Sequence, residues 1–193
     1  MKEILCFGDS NTHGYMPGLG TRYPIDQRWS GLLGKLLGDG YHVVEEGMDG
    51  RTTAFEDDLQ PWRSALGYIG PCVKTHAPLD LIIIMLGTND LLQGQRPEQA
   101  AGKLKHFLCG IMLERSKILL IAPPPLALGE WVSSPRLIDD AHAFAQCCRV
   151  LAEQMHLRFA DAGLWHIPLA YDGVHFTEQG HKAFAAGLLD ALQ

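Results

Sequence analysis

The run Leu81-Ile82-Ile83-Ile84-Met85-Leu86 constrains the fold of this chain more than any other segment. Uninterrupted apolarity, with three β-branched residues in succession, does not suit a strand that wets one face. It suits a strand of a parallel sheet that is covered on both sides. Leu79 to Leu86 is therefore read as a strand, and Ile4 to Phe7, Tyr41 to Val44, Ile118 to Ala122 and Arg158 to Ala160 as shorter companions. Helical spacing lies between them. Trp29, Leu32, Leu33, Leu36 and Leu37 form one stripe. Ser134-Pro135 opens a second helix whose apolar face runs through Leu137, Ala141, Phe144, Cys148, Leu151 and Met155. Leu104, Phe107, Leu108 and Ile111 follow Pro97 in the same manner, and Phe184, Leu188 and Leu192 follow Thr177. Pro61 to His76 is ambiguous, because Gly67, Gly70 and Pro71 interrupt it.

A strand-helix alternation of this kind folds as an open parallel sheet with helices on both sides, and ligands gather at the carboxyl ends of its strands. Polar loops fall at those ends. Gly8-Asp9-Ser10-Asn11 follows the first strand, Gly47 to Thr53 the second and Gly87-Thr88-Asn89-Asp90 the third. The irregular stretches Gly14 to Gln27 and Pro123 to Ser134 are expected to wall the same edge. With 193 residues, 47% of them hydrophobic, the chain suits a single domain over 1–193. A net charge of −6 with singly scattered basic residues argues against nucleic acid and anionic membrane as partners. No apolar run approaches the ~18 residues of a membrane span, and the start of the chain does not read as a signal peptide. The five cysteines, odd in number and without a C-x-x-C pair, suit reduced thiols and a cytoplasmic location.

Ser10 stands where a strand ends and the chain turns. Its hydroxyl becomes a nucleophile only with a base in reach and a partner to orient that base. Asp172-Gly173-Val174-His175 offers both, a carboxylate three residues before an imidazole in a glycine-containing turn. The plainer alternative is a turn at Asp172-Gly173 with His175 as a cap, and Ser10 as a turn residue. Attack on an ester also needs donors where the oxyanion develops. Gly50 can offer an unobstructed backbone N–H, Asn89 a side-chain amide, and Ser10 its own N–H.

Taken together, Gly8-Asp9-Ser10, Gly50 in its glycine-bearing loop, Gly87-Thr88-Asn89-Asp90 and Asp172-Gly173-Val174-His175 resemble the four blocks of the SGNH hydrolases, also called GDSL esterases and lipases. "LCFGDSNTHG", "EEGMDGRTT", "LIIIMLGTND" and "DGVHFTEQGH" are similar to the arylesterase and acyltransferase branch. The resemblance implies a three-layer α/β/α flavodoxin-like sandwich with a mainly parallel five-stranded sheet, and cofactor-free serine hydrolysis of carboxylic esters. It assigns Ser10 as nucleophile, His175 as base, Asp172 as its partner, and Ser10, Gly50 and Asn89 as oxyanion donors. Glu45 departs from the asparagine with which many relatives begin the second block.

Beside these residues, Asp9 is expected to brace the turn, and Asn11 and His13 to line the pocket. The substrate is expected to be a small ester of aryl or sugar acetate type, with acyl transfer to an alcohol as the alternative outcome. Leu126, Leu128 and Trp131 are candidate contact surface for a homo-oligomer. Two other chemistries fit less well. Gly18-Leu19-Gly20 runs into Tyr23 where a nucleotide-binding loop needs a third glycine, and no P-loop occurs. Asp172, His175 and His181 are ligand types, but their spacing matches no zinc motif on one helical face, so no metal is expected.

Overall fold

The structure is a computed structural model that describes residues 1–56 and 60–193. In chain order its elements are β1 (Lys2–Gly8), α1 (Ser10–His13), β2 (Tyr15–Met16), β3 (Thr21–Arg22), α2 (Trp29–Leu37), β4 (Tyr41–Gly47) and α3 (Leu66–Thr75). Then come β5 (Leu81–Met85), α4 (Thr88–Leu92), α5 (Pro97–Cys109), β6 (Ile118–Ala122), α6 (Pro135–Met155), β7 (Arg158–Asp161) and α7 (Glu178–Leu192). β1 and β4 to β7 form one five-stranded sheet in the order β4-β1-β5-β6-β7, with every pairing parallel. That is the doubly wound order of flavodoxin-like folds, with its switch point between β1 and β5. The expected three-layer architecture is present.

Because side chains alternate along a strand, each buried strand feeds two cores. Leu5, Phe7, Ile82, Ile84, Ile118 and Leu120 point to one face, where they meet Leu104, Phe107 and Leu108 of α5 and Phe144, Cys148 and Leu151 of α6. Ile4, Cys6, Leu81, Ile83, Leu119 and Ile121 point to the other, against Trp29 and Leu33 of α2 and Phe184 and Leu188 of α7. The uninterrupted apolarity of β5 is thus the signature of a strand with no wet side.

The structure departs from the sequence reading in instructive places. Glu45 and Glu46 extend β4 beyond its apolar run, because register with β1 pairs Cys6 with Glu45 and Phe7 with Glu46. Each carboxylate has its own partners. Glu45 accepts from Arg28 Nε at 2.8 Å and Nη2 at 2.6 Å and from Ser30, while Glu46 accepts from the Tyr68 hydroxyl at 2.9 Å and meets His76 Nε2 at 2.9 Å. Glu45 thus works as an anchor for the loop before α2, and its hydrogen bonds outweigh burial in holding its carboxyl below the usual range only as part of this set. The ambiguous stretch resolves into α3, with Pro71 inside it; burial of Ile69, Cys72 and Val73 overrides the missing N–H. Leu126 is buried at 6% exposure, so it is core and not contact surface, whereas Leu128 and Trp131 are exposed.

Candidate active site

Everything polar that was read at the strand ends converges on one edge of the sheet. Asp9 follows β1 and caps α1, its Oδ1 accepting from the Asn11 N–H at 3.0 Å. That cap turns the chain abruptly and presents Ser10 at the first position of α1. Across the edge, Asp172 Oδ1 accepts from the backbone N–H of Val174 at 2.9 Å and of His175 at 3.0 Å. Its other oxygen lies 2.7 Å from His175 Nδ1, and His175 Nε2 lies 2.9 Å from Ser10 Oγ. Carboxylate, imidazole and hydroxyl are therefore in hydrogen-bonded series between residues 165 apart in sequence. Burial pushes the Asp172 carboxyl up, but the three hydrogen bonds it accepts outweigh burial and hold it below the usual carboxylate range.

The other two loops close the arrangement. Gly50 has φ +70°, a left-handed conformation, and a Cβ there would stand 2.8 Å from the Arg63 guanidinium. Its N–H has no backbone acceptor among the described residues. Asn89 is the second residue of α4, and its Nδ2 donates to the Arg51 carbonyl at 3.0 Å, which leaves the second amide hydrogen to point elsewhere. Gly87 before it has φ +116° and lets the ring of Phe144 approach; a Cβ would sit 2.2 Å from that ring. Asp90, fully buried, accepts from Thr53 N at 3.0 Å and Thr53 Oγ1 at 2.6 Å, tying the third loop to the second. A small cleft of about 200 Å³ is lined by Ser10, Tyr15, Asp49, Gly50, Arg63, Asn89, Trp131 and His175.

The expected pocket residues Asn11 and His13 do not line that cleft. Asn11 is a clamp: its Nδ2 donates to the Val174 carbonyl at 3.1 Å and its Oδ1 accepts from the Phe176 N–H at 2.9 Å, gripping the backbone on either side of His175. His13 faces Asp49, 4.0 Å away, at the rim. His181 stands apart from Asp172 and His175, so the three do not form a ligand set. It is buried, its Nδ1 accepts from the Trp29 N–H at 3.3 Å, and burial pushes its pKa down to about 4.

Sequence reasoning missed four neighbours. Tyr15 and Trp131 pack on the His175 ring, with centroids 4.7 and 4.9 Å away, so the two irregular stretches do wall the edge, and with aromatic rings. Arg63 was hidden in the ambiguous segment. Arg51, 4% exposed, donates to the Gly8 carbonyl at 2.9 Å and to the Glu46 carbonyl, and its guanidinium covers the Phe7 ring. An arginine after glycine in a loop gives no hint of burial. Only its partners, carbonyls at the ends of two strands, account for it.

Asp9 carries a pH signature. Burial pushes its carboxyl up to about 7, against the opposing effects of the Asn11 N–H and Arg51. A carboxyl whose folded pKa exceeds its unfolded value of ~3.9 binds its proton more tightly in the native state, so its contribution is complete below about pH 4 and is lost as pH rises towards 7. Asp9→Asn keeps an oxygen for the cap without an ionisation. The stability of the variant relative to wild type should therefore rise by a few kcal/mol, at ~1.4 kcal/mol per pKa unit, between pH 4 and 7.5. Urea unfolding across that range checks it, and a pH-independent difference would remove Asp9 as the source.

A hydroxyl, an imidazole and a carboxylate in series at the carboxyl edge of a parallel sheet are the equipment of a hydrolase. The profile of the GDSL-like lipase/acylhydrolase family matches residues 6–183, and the chain belongs to that family; it is an ester hydrolase of SGNH type. Among solved structures, the native aryl esterase of M. smegmatis is 33% identical, with a TM-score of 0.89 over 100% of this chain and 98% of that one. Est24, a carbohydrate acetylesterase from Sinorhizobium meliloti, is 29% identical, with a TM-score of 0.88 over 100% and 98%. No curated protein matches the chain.

Proposed function

We propose that this protein hydrolyses short-chain carboxylic esters, of aryl or sugar acetate type, through an acyl-enzyme on Ser10. The observation that carries the reading is the unbroken series from Asp172 Oδ2 through His175 to Ser10 Oγ. Ser10 Oγ bonds to the ester carbonyl carbon as its proton passes to His175 Nε2. Asp172 keeps the Nδ1 proton directed at itself, which leaves Nε2 as the acceptor, and stabilises the imidazolium. The carbonyl oxygen becomes an oxyanion among the N–H groups of Ser10 and Gly50 and the Asn89 amide. Collapse breaks the bond to the alcohol oxygen, which takes the proton back from His175. Water then repeats the sequence on the acyl-enzyme and releases the acid and free Ser10. Tyr15 and Trp131 hold the imidazole edge and face, limiting its tilt and its hydration.

The size of the cleft supports this substrate class. A space of about 200 Å³ lined by Trp131 and Tyr15 accommodates a small acyl group, and the relatives named above are an aryl esterase and a carbohydrate acetylesterase. Among p-nitrophenyl acetate, butyrate, octanoate and palmitate, kcat/KM should peak at acetate or butyrate. A maximum at palmitate, with Ser10→Ala as the blank, would overturn the short-chain reading. Asn89→Ala should lower kcat by roughly 10²- to 10³-fold with little change in KM, as for one lost oxyanion donor. Steady-state kinetics on the acetate ester separate this from a ground-state binding role, which would move KM alone. A reducing compartment such as the cytoplasm suits the five free thiols, of which Cys6, Cys72 and Cys148 are buried. Among the described residues, no helix is long and apolar enough to cross a membrane.

A further inference from the structure

The cleft carries a cation that the reaction above does not use. Arg63 lines it beside Gly50, close enough that a single added methyl on that glycine would collide with the guanidinium. The position is held by backbone bonding to the second loop. Thr52 N–H donates to the Arg63 carbonyl at 3.0 Å, Ala65 N–H donates to the Thr52 carbonyl at 3.1 Å, and Thr52 and Ser64 form a parallel bridge. The backbone that carries the cation is thus tied to the same loop that presents Gly50. Among the described residues four arginines pair with carboxylates, Arg22 and Arg28 with Glu45, Arg136 with Asp140 and Arg149 with Asp161, while Arg51 is held by backbone carbonyls. Among the described residues Arg63 forms no ion pair. Asp49, the one carboxylate lining the open cleft, has His13 as its basic neighbour at 4.0 Å.

We infer that Arg63 is a specificity residue that receives a carboxylate on the alcohol portion of the ester, so that the preferred substrates are acyl esters of hydroxy acids or phenolic acids. This rests on the ester-hydrolase reading. The charge belongs to the alcohol portion because a two- to four-carbon acyl group leaves a cleft of this size little room for a second polar end. Guanidinium and carboxylate match as a two-point fork, and partial shelter from water makes the bond stronger than at an open surface. Asp49 acts in opposition, and its charge sets the side of the cleft that an anionic alcohol avoids.

The test compares 3-acetoxybenzoate with 3-acetoxybenzamide, nearly equal in shape and differing in charge, each rate divided by its hydroxide-catalysed rate. Wild type should favour the benzoate in kcat/KM by about 10- to 100-fold, the scale of one charge-assisted contact, chiefly through KM. Arg63→Gln should bring the ratio close to one, Arg63→Lys should retain part of it, and Asp49→Asn should raise it. Equal treatment of the two esters by wild type, or a ratio that survives Arg63→Gln, overturns the assignment. A fall in kcat common to both esters would make Arg63 an oxyanion donor and also overturns it. Binding of 3-hydroxybenzoate against 3-hydroxybenzamide to Ser10→Ala, read by saturation-transfer NMR, reports Arg63 without turnover. Wild type inert towards both esters would sink the hydrolase reading while this binding contrast still decides Arg63.

Discussion

Ser10→Ala and His175→Ala should each lower kcat by roughly 10⁴- to 10⁶-fold while leaving the fold intact, and the double variant should be no slower than the worse single one. The reason is geometric. Ser10 Oγ and His175 Nε2 are 2.9 Å apart and share one proton, so removal of either partner ends the same transfer. Whatever activity survives comes from the cleft and its oxyanion donors. Burst kinetics and single-turnover rates on p-nitrophenyl acetate check the prediction; multiplied losses in the double variant would mean two independent roles. Both variants should unfold as wild type does, because each substitution leaves the backbone bonds of its loop in place.

Asp172→Asn should lower kcat by about 10⁴-fold, a loss on the scale of a mispaired imidazole. Here the direction of the mispairing is dictated by the loop. The N–H groups of Val174 and His175 both point at Asp172 Oδ1, so an amide at this position must keep its oxygen there. Its NH₂ is then forced against His175 Nδ1, which has to accept, and the ring proton moves to Nε2. An imidazole protonated at Nε2 cannot take the proton of Ser10. The loss should appear in the plateau of the pH–rate profile, with KM little changed. Asp172→Ala, which frees the ring to choose its tautomer, should retain more activity than Asp172→Asn, and the reverse order would count against the tautomer argument.

The hydroxyl, imidazole and carboxylate of the proposed series were legible in the sequence because their pattern is local: a hydroxyl after a strand, and a carboxylate and imidazole three residues apart in one turn. The sheet was legible for a similar reason, since a strand buried on both faces has no polar positions to hide its pattern. What surrounds those three groups was not legible. Tyr15 and Trp131 reach His175 from stretches with no periodicity, and the hairpin of β2 and β3 that carries Tyr15 is too short to show a pattern. Arg63 ends a short 3₁₀ turn at Pro61–Arg63, and its backbone is held by pairing with Thr52, a contact eleven residues away. Asn11 looked like a pocket residue because it neighbours Ser10 in sequence, yet a helical turn carries the next side chain about 100° round, away from the cleft and onto the loop of His175.

The grip of Asn11 on Val174 and Phe176 has a consequence for how activity arises during synthesis. The loop it holds is made after all five strands of the main sheet, and the clamp joins it to the turn that carries Ser10. A nascent protein can therefore complete β1 to β6 and much of its core while still unable to cleave an ester. Catalytic competence switches on only when the segment that carries Asp172 and His175 docks, which confines ester cleavage to chains in which that loop has folded against Asn11 and makes products truncated before it silent.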